Sequence, residues 1–283
     1  MISTEFLKDL EKFSLIVRKK ISSKYQGQRT SREPGRGITL REHRQYTPQD
    51  DIRAIDWKVY ARTDDLFVRV YEEDKDLSVH LILDATKSMD YGKTISKYEY
   101  ASMIGAGFLY LAMRSNERYK YTILGDDMEV HPMMRGRHHF GGYVNTINKR
   151  KPQGTMQLSE AIEAYRKILK SKSLVIIISD FLEDNERIDM MLRSLRRHDV
   201  RIIQVLDNDE IVLPFEGDYK FEDPESGTRM RTFIGQGPRA EYIRKLESHN
   251  NSIMQSCDTL GFEYYLANTS DPIFESFFNI INY

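Results

Sequence analysis

From Ser78 onward the chain alternates short apolar runs with longer segments of helical period, and this alternation constrains the fold more than any other feature. Ser78–Leu83 and Leu174–Ser179 read as strands buried on both faces, the second being the most apolar in the chain. Tyr119–Leu124, Met128–Met133, Val200–Leu206 and Phe262–Leu266 are predicted as further strands. Helical patterns lie between them at Tyr98–Arg114, around Tyr143, and at Leu158–Lys170, Glu186–Arg197 and Pro238–Leu260, with a closing helix from Pro272. Such an order predicts an α/β fold, a doubly wound and mostly parallel sheet flanked by helices. Two stretches between Tyr219 and Phe233 flank the turn signal Pro224-Glu225-Ser226-Gly227, so a small β-hairpin insertion is expected at about residues 215–235.

The first 77 residues are of another kind and are expected to form an N-terminal helical and extended lobe before a sheet domain at 78–283. Phe6, Leu10, Phe13 and Val17 recur at helical spacing, predicting an amphipathic helix over the first twenty residues whose apolar stripe docks on the body of the molecule. Ser22–Gly37, rich in Ser, Gly, Gln and Arg, reads as a loop. Net charge is −1 with 30% charged residues, so no overall field selects the partner, and recognition falls to local patches. Up to Arg44 there are 11 Lys and Arg against 5 Asp and Glu, yet aromatics there are few and no nucleic-acid motif accompanies them, so nucleic acid is not expected as a partner. The single Cys257 can form no intrachain disulfide. The longest uncharged apolar run, Ala101–Met113, is too short to span a bilayer, and the start lacks a secretory leader's apolar stretch; a cytoplasmic protein is expected.

Asp84, Thr86 and Ser88 directly follow the first buried strand, so one loop presents a carboxylate and two hydroxyls. Hard oxygens of this kind suit Mg²⁺, though the same pattern also serves as an Asx turn capping a following helix. Asp180 stands at the matching place after Leu174–Ser179. In a doubly wound sheet of order 3-2-1-4-5-6 ligands bind outside the carboxyl ends of the first and fourth strands, where the two carboxylates would face one crevice. Gly154-Thr155, just before the helix at Leu158, can add a third hydroxyl. Lys149-Arg150-Lys151 precedes that loop and reads either as a solvated basic run or as a rim that attracts an acidic partner. His138-His139 lacks a spaced third ligand and reads as solvated loop.

These residues resemble the metal-ion-dependent adhesion site (MIDAS) of von Willebrand factor A domains, in which Asp-x-Ser-x-Ser, a Thr and a later Asp surround a metal. The resemblance implies a von Willebrand factor A-like fold. It also implies an Mg²⁺ or Mn²⁺ site at Asp84, Thr86, Ser88, Thr155 and Asp180, with one coordination position left for a partner's carboxylate. Thr86 stands where the family usually has Ser, and Phe181 where many relatives have Gly. Upstream, Arg41-Glu42-His43-Arg44-Gln45-Tyr46-Thr47-Pro48-Gln49-Asp50-Asp51-Ile52-Arg53-Ala54-Ile55-Asp56-Trp57, followed by Ala61-Arg62, is similar to the hallmark of an uncharacterised family with a von Willebrand factor A-like domain, often encoded beside MoxR-type AAA+ ATPases. Read physically, this segment is dense in ion-pair candidates, with Trp57 as a large apolar anchor. The resemblance implies a non-catalytic adaptor working with a MoxR-type ATPase, the more so because the chain has no Gly-x-x-x-x-Gly-Lys-[Ser/Thr] loop of its own. The competing reading is an Mg²⁺-dependent phosphate-ester hydrolase. A haloacid-dehalogenase-like pattern would need Asp at position 86, where this chain has Thr86.

Overall fold

The chain opens on helix α1 (Thr4–Tyr25), in which Phe6 and Leu10 of the expected stripe are buried and Phe13 half-buried, the side chain of Val17 lying outside the described residues. A computed structural model describes residues 2–25, 39–48, 50–72, 78–222 and 229–282, so the loop expected at 22–37 lies outside the described residues beyond Tyr25, as does the hairpin turn at 224–227. Packing divides the chain into two units, Met1–Phe13 with Leu77–Tyr283, and Ser14–Asp76.

In the smaller unit, β1 (Thr39–Gln45) pairs antiparallel with β2 (Phe67–Glu72), and between them lie a single 3₁₀ turn and the short helix α2 (Trp57–Thr63). Ile55 and Val68, joined by an isolated bridge, form its buried contact. Several of the signature's described charges are engaged locally. Arg44 Nη2 meets Asp50 Oδ1 at 2.5 Å, and the other oxygen of Asp50 accepts from the backbone N–H and hydroxyl of Thr47. Asp51 caps the 3₁₀ turn, and Asp56 caps α2 while pairing with His43 at 3.0 Å. Trp57 departs from its expected part as an apolar anchor. It is 56% exposed, because α2 buries none of its residues, and its ring meets the edge of Tyr60.

The larger unit is built on β3 (Ser78–Asp84), α3 (Lys97–Arg114), β4 (Arg118–Leu124), β5 (Met128–Val130), α4 (Phe140–Lys149), α5 (Leu158–Arg166), β6 (Leu174–Ser179), α6 (Asn185–Ser194), β7 (Asp199–Leu206), α7 (Asn208–Val212), β8 (Gly217–Glu222), β9 (Arg229–Ile234), α8 (Gln236–Leu260), β10 (Glu263–Asn268) and α9 (Ile273–Asn282). Six strands form one sheet in the order β10-β7-β6-β3-β4-β5, all parallel except the edge strand β5. Counted along the chain, that is the order 3-2-1-4-5-6, so β3 and β6 are the central pair on which the topology turns. β8 and β9 form the expected antiparallel insertion.

Every residue of β3 is buried, as in a strand covered on both faces, including His80, whose Nδ1 lies 2.7 Å from the Tyr165 hydroxyl. Ile82, Ile177 and Ile202 pack with Ile162 of α5, Leu192 of α6 and Ile253 of α8 on one face. α3 covers the other and packs against α4 and α9. Fully burying one such aliphatic side chain stabilises the fold by roughly 1.5–3 kcal/mol, so these layers dominate the sheet's stability. Three elements are shorter than expected. β5 ends at Val130, with His131 N–H still donating to Tyr121 O and an isolated Tyr119–Met134 bridge beyond it, and α5 and α6 tighten into i→i+3 bonded turns, such as Ile168 N–H to Tyr165 O, before Lys170 and Arg197. Among the described residues no helix is long and apolar enough to cross a membrane.

Candidate metal site

Parallel pairing of β3 with β6 sets Leu83 against Ile178, so Asp84 and Ser179 meet where both strands end. Ser179 Oγ donates to Asp84 Oδ2 at 2.6 Å, while Asp84 Oδ1 accepts from the Thr86 N–H at 2.9 Å and from Thr86 Oγ1 at 2.7 Å. The Asx turn is therefore present, and it is the device that shapes the loop: it leaves Thr86 Oγ1 3.2 Å from Ser88 Oγ. The loop carrying Thr155 is stitched alongside by Gln153 N–H to Ala85 O at 2.8 Å and Lys87 N–H to Gly154 O at 3.0 Å. Gly154 is required there. Its φ is +92°, and a Cβ would lie 2.2 Å from backbone atoms of Gly125 and Asp126.

Asp180 follows β6 directly, and the next residue, Phe181, has φ +53° with its ring buried. A glycine takes this left-handed turn without strain, whereas Phe181 holds the same turn and adds its ring to the core. The turn is fixed by Phe181 N–H to Ser179 Oγ at 3.2 Å and by His249 Nε2 donating to Phe181 O at 2.8 Å. Asp84, Thr86, Ser88, Thr155 and Asp180 thus line one cleft of about 1160 Å³ at the carboxyl ends of the central strands. Asp84, Thr86 and Asp180 are buried, Ser88 is half-buried and Thr155 is exposed.

Two members of the site were missed by reading the sequence. Lys97, the first residue of α3, is 1% exposed, and its Nζ bridges Asp180 Oδ2 at 2.9 Å and Glu210 Oε1 at 2.7 Å. Glu210 is held in turn by the capping box of α7, where its Oε2 accepts from the Asp207 N–H at 2.8 Å. That box was legible as Asp207-x-x-Glu210. The burial of Lys97 had a weaker signal, an α3 pattern apolar on nearly all sides, which marks a helix enclosed by neighbours.

Charge in the cleft is lopsided. Six carboxylates line it, Asp84, Asp180, Glu183, Asp184, Asp209 and Glu210, against the cations Lys97 and Arg187. Burial, and then the charge of Asp180, push the Asp84 carboxyl up to about 6, against the hydrogen bonds from Ser179 and Thr86 that favour its ionised form. Burial likewise raises Glu210, opposed by Lys97. Burial works against the charge of Lys97, but Asp180 and Glu210 outweigh it and hold that ammonium above the ordinary lysine range. Among the described residues no three His, Cys, Asp or Glu side chains group to hold a metal. The donors gathered here are instead three hydroxyls with two carboxylates. An all-oxygen set in an acidic cleft has the chemistry for a hard dication such as Mg²⁺ or Mn²⁺, and excludes the soft-ligand preferences of copper or structural zinc.

The basic trio lies elsewhere. Lys149 and Lys151 are exposed, and Arg150 Nη1 is committed to Glu129 Oε2 at 2.7 Å. Arg150 and Lys151 border a separate depression of about 520 Å³ beside Ile2 and Asn148, so the rim of the main cleft is acidic instead. His138 and His139 are exposed at the start of α4.

Known proteins similar to this chain include the uncharacterized proteins Rv1480 of Mycobacterium tuberculosis and Mb1516 of Mycobacterium bovis, each 30% identical over 257 residues, covering 89% of this chain and 81% of the relative. Similar solved structures include the conserved hypothetical protein BatB from Bacteroides thetaiotaomicron, with 15% identity, a TM-score of 0.46 and coverage of 73% of this chain and 97% of that one. Another is the SpRpn10 VWA domain, with 10% identity, a TM-score of 0.44 and coverage of 72% and 94%. The family described as protein of unknown function DUF58 matches residues 42–252, and the chain belongs to it.

Proposed function

We propose that this protein is a metal-dependent protein-binding adaptor that holds Mg²⁺ or Mn²⁺ through Asp84, Thr86, Ser88, Thr155 and Asp180 and works with a MoxR-type AAA+ ATPase. The observation that carries the reading is the meeting of three hydroxyls and two buried carboxylates from three separate loops in one open cleft. Both oxygens of Asp84 are already taken by Ser179 and Thr86, which suits a carboxylate that orients the hydroxyls beside it. Bound there, a dication supplies an open coordination position for an acidic side chain. The cleft itself is rich in carboxylates, so it repels an acidic partner until that positive charge is present, and recognition becomes conditional on the metal.

The chain is proposed to have no catalysis of its own. With both oxygens engaged by Ser179 and Thr86, Asp84 is poorly disposed to attack a phosphate ester, and position 86 carries Thr86 in place of a second carboxylate. The ATPase is proposed from the resemblance of the Arg41–Trp57 signature and from the need for an outside source of energy. The test is a pull-down of a MoxR-type ATPase with the full chain. Capture is expected in Mg²⁺ and should be lost in EDTA and in Asp84→Ala; capture indifferent to both would refute the metal-dependent reading. In parallel, a phosphatase panel with Mg²⁺ should stay blank, and turnover that Asp84→Ala abolishes would favour the hydrolase.

A further inference from the structure

Lys97 stands out because it is a buried cation in a cleft whose carboxylates and hydroxyls suit a cation from solution. Its ammonium is within 2.9 Å of Asp180 and 2.7 Å of Glu210, and it is enclosed by the start of α3, the end of β6 and the capped turn of α7. An ammonium at that distance and a dication drawing on the same carboxylate repel each other, the more so because Lys97 and Asp180 are both buried. We propose that Lys97 is an affinity-setting residue, a tethered cation that shares Asp180 with the divalent metal. It balances the buried carboxylates before loading and weakens the metal's hold afterwards. This rests on the metal-site reading above.

Glu210 supplies the means to test it. It draws Lys97 away from Asp180, and its capping bond to the Asp207 N–H needs only an acceptor oxygen, which Gln retains. Removing Lys97 alone changes the net charge of the cleft, so tighter metal binding by that variant has two explanations. Lys97→Met combined with Glu210→Gln removes one positive and one negative charge together. Any gain in affinity then reports the release of Asp180 and not a change in overall field. This pair also avoids stranding two buried carboxylates, which could prevent Lys97→Met alone from folding.

The experiment titrates Mn²⁺ into the full-length wild type, Glu210→Gln and Lys97→Met/Glu210→Gln, with free Mn²⁺ read by electron paramagnetic resonance. Relative to wild type, roughly tenfold tighter binding is expected for the double variant, and several-fold weaker binding for Glu210→Gln, which removes a negative charge and leaves Lys97 to Asp180 alone, so the double variant is the deciding one. Wild-type binding with no gain in the double variant would overturn the role of Lys97 and leave the metal site standing. Absence of Mn²⁺ binding in all three would overturn both.

Discussion

Asp84 carries an electrostatic penalty, because burial and the neighbouring Asp180 both oppose its charge. Its carboxyl is pushed up to about 6 from an ordinary 3.8 by burial and by Asp180, so the folded state binds the proton more tightly than the unfolded chain. The stability associated with the neutral form is present below about pH 4 and is lost as pH rises through 6. A displacement of that size corresponds to about 3 kcal/mol as an upper bound. Asp84→Asn, nearly isosteric and able to keep the Thr86 bond, is therefore expected to be about 1–3 kcal/mol more stable than wild type at pH 7.5 without metal, the advantage vanishing near pH 4. Denaturant melts at the two pH values in EDTA check this; a variant less stable than wild type at pH 7.5 would mean that the hydrogen bonds outweigh the burial. At this scale the sequence picked out residues that the structure gathers in one cleft, Asp84, Thr86, Ser88, Thr155 and Asp180, but not the Lys97 that pairs with Asp180 there. Asp84 and Asp180 follow unmistakable strands, so their places were legible. Lys97 sits in an ordinary helix start, Ser96-Lys97-Tyr98-Glu99, and only the sheet order and α7 bring Asp180 and Glu210 to it.

Among the elements, the N-terminal turns of α1 are held by aromatic contacts in a layer that runs through α9 to α3. Phe6 stacks on Phe274 at 5.3 Å, Phe13 meets Phe274 and Phe277 each at 5.5 Å, and Phe277 meets Phe108 edge-on at 5.2 Å. Gly107 makes room for that last contact, since a Cβ there would lie 2.4 Å from the Phe277 ring. The two Phe positions should separate in their effects. Phe277→Ala empties a buried site and is expected to cost roughly 3–5 kcal/mol of global stability. Phe274→Ala, half-buried, should chiefly free residues 4–13, seen as faster amide exchange there while β3 and β6 stay protected. Uniform loss of protection in both variants would contradict this division. Long elements with a strong period were legible in the sequence within a few residues. What was missed is short or capped, such as α7 with its five residues, and the hairpin and α2 of residues 39–72, where charge density masks any period.

For the whole molecule, the decisive fact is that every proposed ligand belongs to one of the two units. Residues 84–88, 155 and 180 converge only when the six-stranded sheet is formed, and none lies within Ser14–Asp76. A dication that needs all three loops has no comparable site on the unfolded chain, so its binding free energy appears as stability of the sheet unit. One site at 100 times its dissociation constant adds about 2.7 kcal/mol. For a unit of this size each kcal/mol raises the melting temperature by roughly 2–4 °C. Calorimetry of the full chain with increasing Mg²⁺ or Mn²⁺ is expected to move the sheet unit's transition upward by roughly 5–10 °C at that loading. Any separate transition of residues 14–76 should stay in place. Asp84→Ala should remove the shift while keeping the fold, because the loss of one ligand leaves the hydrophobic layers intact. A shift that persists in Asp84→Ala would locate the ion elsewhere, and no shift at millimolar metal would remove the physical basis for a metal-gated adaptor.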